Sequence, residues 1–591
     1  MREPWRWTIA VVLALSVAAA PCTASADTPK TAEPSKTEPE TAPEKPATAE
    51  DLQKRLLATP EDAKLTDQLI VLFKQFALAR AKEELDEELP ESFWTWLAEQ
   101  PTIRDALLVE LHPEYKPGIP KCLEALRKEF GAEVTERPHL ALAFAAVFGR
   151  ARGGRAWGPQ SHYLRRDRKA PTMEASFRYY LKNEKVMRFS LKKTPWPLLA
   201  YLADNETPIR ERVWALKNYA TCNDSRLARV YNDLRYDWDK LVGKPRIGDR
   251  PRTLANLKKY GGVCIERAYF ASRVYKSMGI PAMCVTGQGR RGGHAWVAWI
   301  SRKNKSYCMN SQGRFFYDKY YVGNAWYPPT RGRMLDREVE LIAAAVGRSY
   351  DEYLNTRIGC HLYRMFNDEE PRKDRTRLLK DAAERNPFVA DPWRLLAQAR
   401  VDDVISQTEG EKLFDIIFRA LGAYPDLTYE VLEKVLTPRL DIEGDEDADE
   451  ITRNLKILSR AFAAYNDAKR PDLAVKLCLL KGSYLEAIDR KKSALKLYVM
   501  ASDNYAKEHY GFRDVFDRAL LLMAGRKDLR RRLKFCDMMV KKVPRQRGDV
   551  DKKRKQFNPA YVYVVRAYIR ALEEAGKDRA ARHWEEKITT R

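Results

Sequence analysis

The sequence predicts an α+β fold, with a small core of helix and strands flanked by mainly α-helical regions. Three observations lead there. Runs rich in aromatic and β-branched residues, Met283–Gly287, His294–Ile300 and Ser306–Asn310, cluster in one stretch and read as strands. Ahead of them, from Ala49 to about Arg150, apolar residues recur at helical spacing, with Leu65, Leu69, Leu72 and Phe73 on one face. Beyond about Leu335 no strand pattern returns, and helical segments alternate with polar linkers.

Taken in order, residues 1–26 read as a cleavable signal peptide. Arg2 and Arg6 make a basic start, and Thr8 to Ala20 is an apolar run too short to span a bilayer comfortably. Ala24-Ser25-Ala26 is a small-x-small cleavage site ahead of Asp27. The expected location is secreted or periplasmic, with no transmembrane domain in the mature chain. Cys22 follows Pro21, a poor fit to a lipoprotein site. Residues 27–50, rich in Pro, Thr, Glu, Lys and Ala, cannot bury enough apolar surface to order themselves and read as a disordered linker.

The net charge of +24 is spread along the chain and mixed with Asp and Glu, without a nucleic-acid-binding motif. Nucleic acid is therefore not an expected partner, whereas association with an anionic envelope or membrane surface is compatible. The densest basic patch, Gly149 to Arg168, reads as an exposed loop. The cysteines left after cleavage (Cys122, Cys222, Cys264, Cys284, Cys308, Cys360, Cys478 and Cys536) are sparse and contain no C-x-x-C. They make neither a disulfide framework nor a zinc site. Cys284 and Cys308 fall on adjacent predicted strands, and could pair or be small core residues. His112, His139 and His162 lack partners at metal-ligand spacing, and the acidic run Asp441 to Glu450 departs from a calcium loop and reads as a solvated linker. No cofactor and no metal is expected.

Residues 51–170 form an N-terminal helical region in which Phe93, Trp94, Trp96 and Leu97 read as core. Residues 171–335 hold the cysteine core. Within them Met173 to Ser190 alternates enough to allow a strand, and Trp196–Ala203, Ile209–Tyr219 and Arg226–Val242 read as helices. Residues 336–591 are helical.

The chemistry centres on Tyr260-Gly261-Gly262-Val263-Cys264. The glycines look like a turn, and Val263, Ala268, Ala271, Val274, Tyr275 and Met278 continue at helical spacing. Cys264 then sits in the first turn of a helix, where unpaired N–H groups and the helix dipole favour a thiolate. A hairpin turn centred near Arg302 would place His294 across from Asn310 on one face, a base beside an orienting amide.

These motifs, Gly-Gly-Val-Cys264 with Arg267-Ala268, Gly279-Ile280-Pro281-Ala282, Val285-Thr286-Gly287 and Gly293-His294-Ala295-Trp296-Val297, resemble the transglutaminase-like superfamily over residues 250–325. The resemblance implies a papain-like core with Cys264 as nucleophile and His294 as base. The third position, usually Asp, is matched best by Asn310, with Asp318 a weaker candidate. It also implies an oxyanion donor at the Cys264 N–H and a second one upstream, for which Tyr260 and Asn256 are the candidates. The implied activity is hydrolysis or acyl transfer at amide bonds of a peptide or protein substrate, through a thioester. The alternative is an inactive member serving as a scaffold.

In the C-terminal region, Leu378–Pro387 with Pro392–Ala397, Gly482–Ala487 with Ala494–Tyr498, and Tyr568 to Ala581 resemble tetratricopeptide helix pairs, which implies a concave surface for a protein partner.

Overall fold

The computed structural model describes residues 47–110, 118–149, 170–289, 292–303, 306–315, 320–330, 332–369, 373–436, 448–467, 469–508, 511–524, 528–546 and 556–589. The signal peptide, nearly all of the linker, the basic patch at 150–168, His112, His162, Asp318 and most of the acidic run lie outside the described residues.

The fold is α+β: mostly helical, with a small antiparallel sheet. In the N-terminal region helix Pro138–Phe148 is apolar on every side, and Leu140 through Ala146 are fully buried. A helix of that composition is stable only when surrounded, and Asp67–Leu85, Pro101–Glu110 and Gly118–Phe130 belong to the same apolar core. Phe93, Trp94 and Leu97 are buried in that core, with Trp96 packed against it.

Two expectations are corrected nearby. Met173–Lys182 is a helix, not a strand. Thr172 caps it by accepting from the Ala175 N–H at 3.2 Å, and Phe177 and Tyr180 bury on one face; the cap outweighs the local alternation. Arg226–Val242 is not one helix. It breaks into a short turn Asp224–Leu227 and 3₁₀ turns Val230–Asp233 and Asp239–Val242. Between the last two, Tyr236 bridges to Gly262.

The sheet contains β1 (Ala282–Gly289), β2 (Gly292–Lys303), β3 (Ser306–Gln312), β4 (Asn324–Tyr327) and β5 (Gly332–Leu335), in the order β3-β2-β1-β4-β5. The helix Cys264–Ser277 packs on it, with Tyr275 and Trp299 at 5.0 Å between ring centroids. Cys284 on β1 and Cys308 on β3 are separated by β2, so they are not on neighbouring strands, and both are thiols rather than a disulfide. From Asp336 onward the described chain is helical, in pairs such as Thr376–Arg385 with Ala390–Val401 and Pro471–Ala487 with Lys491–Tyr505. Gly482 lets the second pair close, since a Cβ there would overlap the Tyr498 ring. Among the described residues no helix is long and apolar enough to cross a membrane.

Candidate active site

The start of the cysteine helix is held by its neighbours. Gly261 takes φ +84°, and a Cβ on it would overlap the Arg235 carbonyl; glycine reaches that conformation at little steric cost. The Gly262 N–H then donates to Arg235 O at 3.0 Å, and the Asp237 N–H donates to Gly262 O at 3.2 Å. Glu266, buried, accepts from the Val263 N–H at 2.9 Å and is neutralised by Lys240, with Arg252 at 3.9 Å. These contacts make Cys264 the first residue of the helix, as its sequence context indicates.

Cys264 is half-buried. The backbone N–H groups of Ala295, Ile265 and Cys264 itself lie near its sulfur and, with the Arg267 guanidinium, favour its charged form. Burial nonetheless pushes the thiol above its ordinary value, and these donors only partly offset it. That shift opposes the thiolate the helix start favours, so ionising the thiol calls for a base.

Ala295 follows His294 on β2, so the sulfur lies against the peptide that carries the imidazole. His294 Nε2 is 2.6 Å from the carbonyl of Gly313. A carbonyl can only accept, so Nε2 carries the proton and Nδ1 is the basic nitrogen of the neutral ring. Phe315 stacks on the imidazole at 5.1 Å and Tyr320 lies at 5.0 Å.

Asn310 does not join this group. The β2–β3 hairpin closes at Lys303–Ser306, not around Arg302, and Asn310 pairs with Trp299. The register that pairs Val297 with Gln312 brings Phe315, not Asn310, beside His294. Asn310 is thus five residues, about 17 Å, further along β3 and on the opposite face. Its amide donates to Ser301 Oγ at 2.9 Å. Of the two proposed upstream donors, only the Asn256 amide has a hydrogen bond elsewhere among the described residues. Asn256 Nδ2 donates to Pro251 O at 2.8 Å, and the Tyr260 ring carries Arg250 at 4.8 Å and Lys259 at 5.4 Å.

Two tyrosines that sequence reasoning missed lie near Cys264 instead. Tyr231 donates its hydroxyl to Ala295 O at 2.9 Å, accepts Arg267 over its ring at 4.4 Å, and fills the space where a Cβ of Gly313 would be. It ties the cysteine helix, the histidine strand and the Gly313 carbonyl together. Tyr236, half-buried, is close enough to Cys264 for burial and the thiolate charge to push its hydroxyl up to about 12. Among the described residues that hydroxyl has no hydrogen-bond partner. Trp238 lies tilted beside Tyr236 at 4.5 Å and is 44% exposed. The only sequence signal was an aromatic cluster, Tyr231, Tyr236 and Trp238, inside a segment read as helix.

His139 lies in the N-terminal core against Tyr350 at 4.9 Å, and burial pushes it down to about 4. Among the described residues no cluster of His, Cys, Asp and Glu could hold a metal ion. Comparison with family models, curated proteins and solved structures finds no match for this chain.

Proposed function

We propose that the chain is a thiol enzyme acting on amide bonds of peptides or proteins, with the transglutaminase-like, papain-like site that its motifs resemble. The observation that supports this most is the sulfur of Cys264 at a helix start, near three backbone N–H groups, one of them the N–H next to His294. In this reading His294 Nδ1 takes the thiol proton and the thiolate attacks an amide carbonyl. The carbonyl π electrons move onto oxygen. Backbone N–H groups at the helix start stabilise that oxyanion, and Tyr236 supplies a side-chain donor. Collapse expels the amine, which takes the proton back from His294, and leaves a thioester. Water then gives an acid, or a second amine gives a new amide. The Gly313 carbonyl orients the ring in the place where the sequence suggested Asn310.

The raised thiol also favours a second reading, an inactive scaffold that binds a protein partner on its C-terminal helices. One experiment separates the two. The protein is incubated with p-nitrophenyl acetate, and then with a peptide library and an amine donor, and examined by mass spectrometry. Acetylation of Cys264 that is absent in His294→Ala, with hydrolysed or amine-bearing peptides, is the expected result. A wild-type protein unmodified at Cys264 overturns the enzymatic reading.

A further inference from the structure

A cavity of about 310 Å³ opens where the N-terminal helices, the β4–β5 hairpin and the first C-terminal helices meet. It shares no residue with the surroundings of Cys264. Its size is at the lower end of small-molecule pockets, about 300–1,000 Å³. Trp196, Tyr353 and Phe388 form aromatic walls.

The charged groups differ in depth. Glu110, the last residue of helix Pro101–Glu110, has a side chain only 3% exposed. Its Oε2 accepts from Tyr353 at 3.3 Å and lies 3.9 Å from Arg357 Nε. Among the described residues, its Oε1 has no hydrogen-bond partner. Arg357 itself is turned to Asp391. Nearer solvent, Arg364 is 44% exposed, and its nearest carboxylate, Asp391, is 4.0 Å away. A buried acceptor left without a hydrogen bond costs about 1–3 kcal/mol, more if charged, so the deep end favours a ligand group that donates to Glu110 Oε1.

We propose that this cavity binds a small zwitterion of amino-acid or dipeptide size, its ammonium on Glu110 and its carboxylate on Arg364. A neutral ligand would leave Glu110 Oε1 without a charged donor, and an anion would meet the carboxylate directly. Binding is coupled to a proton. Burial pushes Glu110 up to about 7 in the empty cavity, against the pull of Arg357 and Tyr353 and with Asp391 adding to it. An ammonium favours the ionised carboxylate, so binding releases a proton and tightens as pH rises through that value. The other titratable groups facing the cavity are Tyr327, Arg394 and Glu338, the last two paired with each other, and His361, whose Nε2 meets Val109 O at 2.8 Å.

The test is calorimetric titration of the full chain with glycylglycine, L-lysine and n-butylamine, at about pH 6 and about pH 8. The zwitterions are expected to bind with a Kd of about 1 mM or tighter, several-fold tighter at the higher pH. Glu110→Gln, nearly isosteric, should weaken all three probes about tenfold and abolish the pH dependence. Arg364→Ala should weaken glycylglycine and lysine to the level of butylamine and leave butylamine unchanged. Melting curves of both variants show that they are folded. Absence of binding by any probe, or binding indifferent to Glu110→Gln, overturns the site. Butylamine binding as tightly as the zwitterions overturns the ligand class.

Discussion

Tyr231 donates its hydroxyl to the carbonyl of Ala295 at 2.9 Å, and the N–H of that same Ala295 lies near the sulfur of Cys264. One residue of β2 is thus held by a phenol while lying beside the thiol. Tyr231→Phe removes that hold and leaves a buried carbonyl unpaired, at a cost of about 1–3 kcal/mol. It is expected to slow acetylation of Cys264 by p-nitrophenyl acetate about tenfold while leaving the protein folded. Gly313→Ala should do more, because a Cβ would overlap the Tyr231 ring at a position with φ +84°. If both variants acetylate at the wild-type rate, Tyr231 does not position the site.

His294→Ala is expected to lower the rate of iodoacetamide labelling at Cys264 about a hundredfold near neutral pH, the range of a lost general base. Asn310→Ala should leave it unchanged, since the Asn310 amide is engaged with Ser301. Peptide mapping after a timed pulse reads both. Equal loss in the two variants would restore Asn310 to the site and contradict the observed register.

Tyr236→Phe separates nucleophilicity from oxyanion support. Alkylation by iodoacetamide develops no oxyanion, so its rate should not change. Acylation by p-nitrophenyl acetate should fall about tenfold to a hundredfold, somewhat less than a well-placed oxyanion donor supplies. A parallel fall in both rates would mean that Tyr236 only shapes the pocket.

Glu110 makes stability depend on pH in a defined direction. Its folded value, about 7, is above the ordinary 4.5 of the unfolded chain. Its contribution is therefore fully present below the unfolded value and is lost as pH rises towards 7. Over that window the loss is about 3 kcal/mol. The difference in urea midpoint between Glu110→Gln and wild type should shift towards the variant as pH rises from about 4 to about 8. A difference independent of pH would mean that Glu110 titrates normally in the folded state.

In the C-terminal array, Gly482→Ala would push a methyl group into the Tyr498 ring. A destabilisation of about 1–3 kcal/mol is expected from the overpacking, measured by thermal melting, with acetylation of Cys264 unaffected. An unchanged melting curve would show that the two helices separate without cost.

The local signals around Cys264 were legible in the sequence because each rests on few residues. The Gly261-Gly262 turn, the helix after it and the three runs read as strands all stand where the sequence suggested. The third position was not legible, because it depended on where one polar tract turns. A shift of that turn by two and a half residues moved Asn310 by five relative to His294. Tyr231 and Tyr236 were hidden for another reason. Their segment is ordered by bonds to Gly262, Gln312 and Ala295, all distant in sequence, and no local period encodes those. The upward push on the thiol was invisible too, since the burial behind it comes from the whole core.

At its far end the cysteine helix sends Arg273 to Glu206 at 2.5 Å, both fully buried, and buried Lys276 to half-buried Asp204. Cutting the chain down to the motif stretch 250–325 would strand two cations without their counterions, and removing that stretch would strand two carboxylates. Either truncation leaves uncompensated interior charge, a loss on the order of 3–5 kcal/mol for each broken pair. The motif stretch is therefore not a portable cassette, and its role has to be dissected by point substitution within the whole chain.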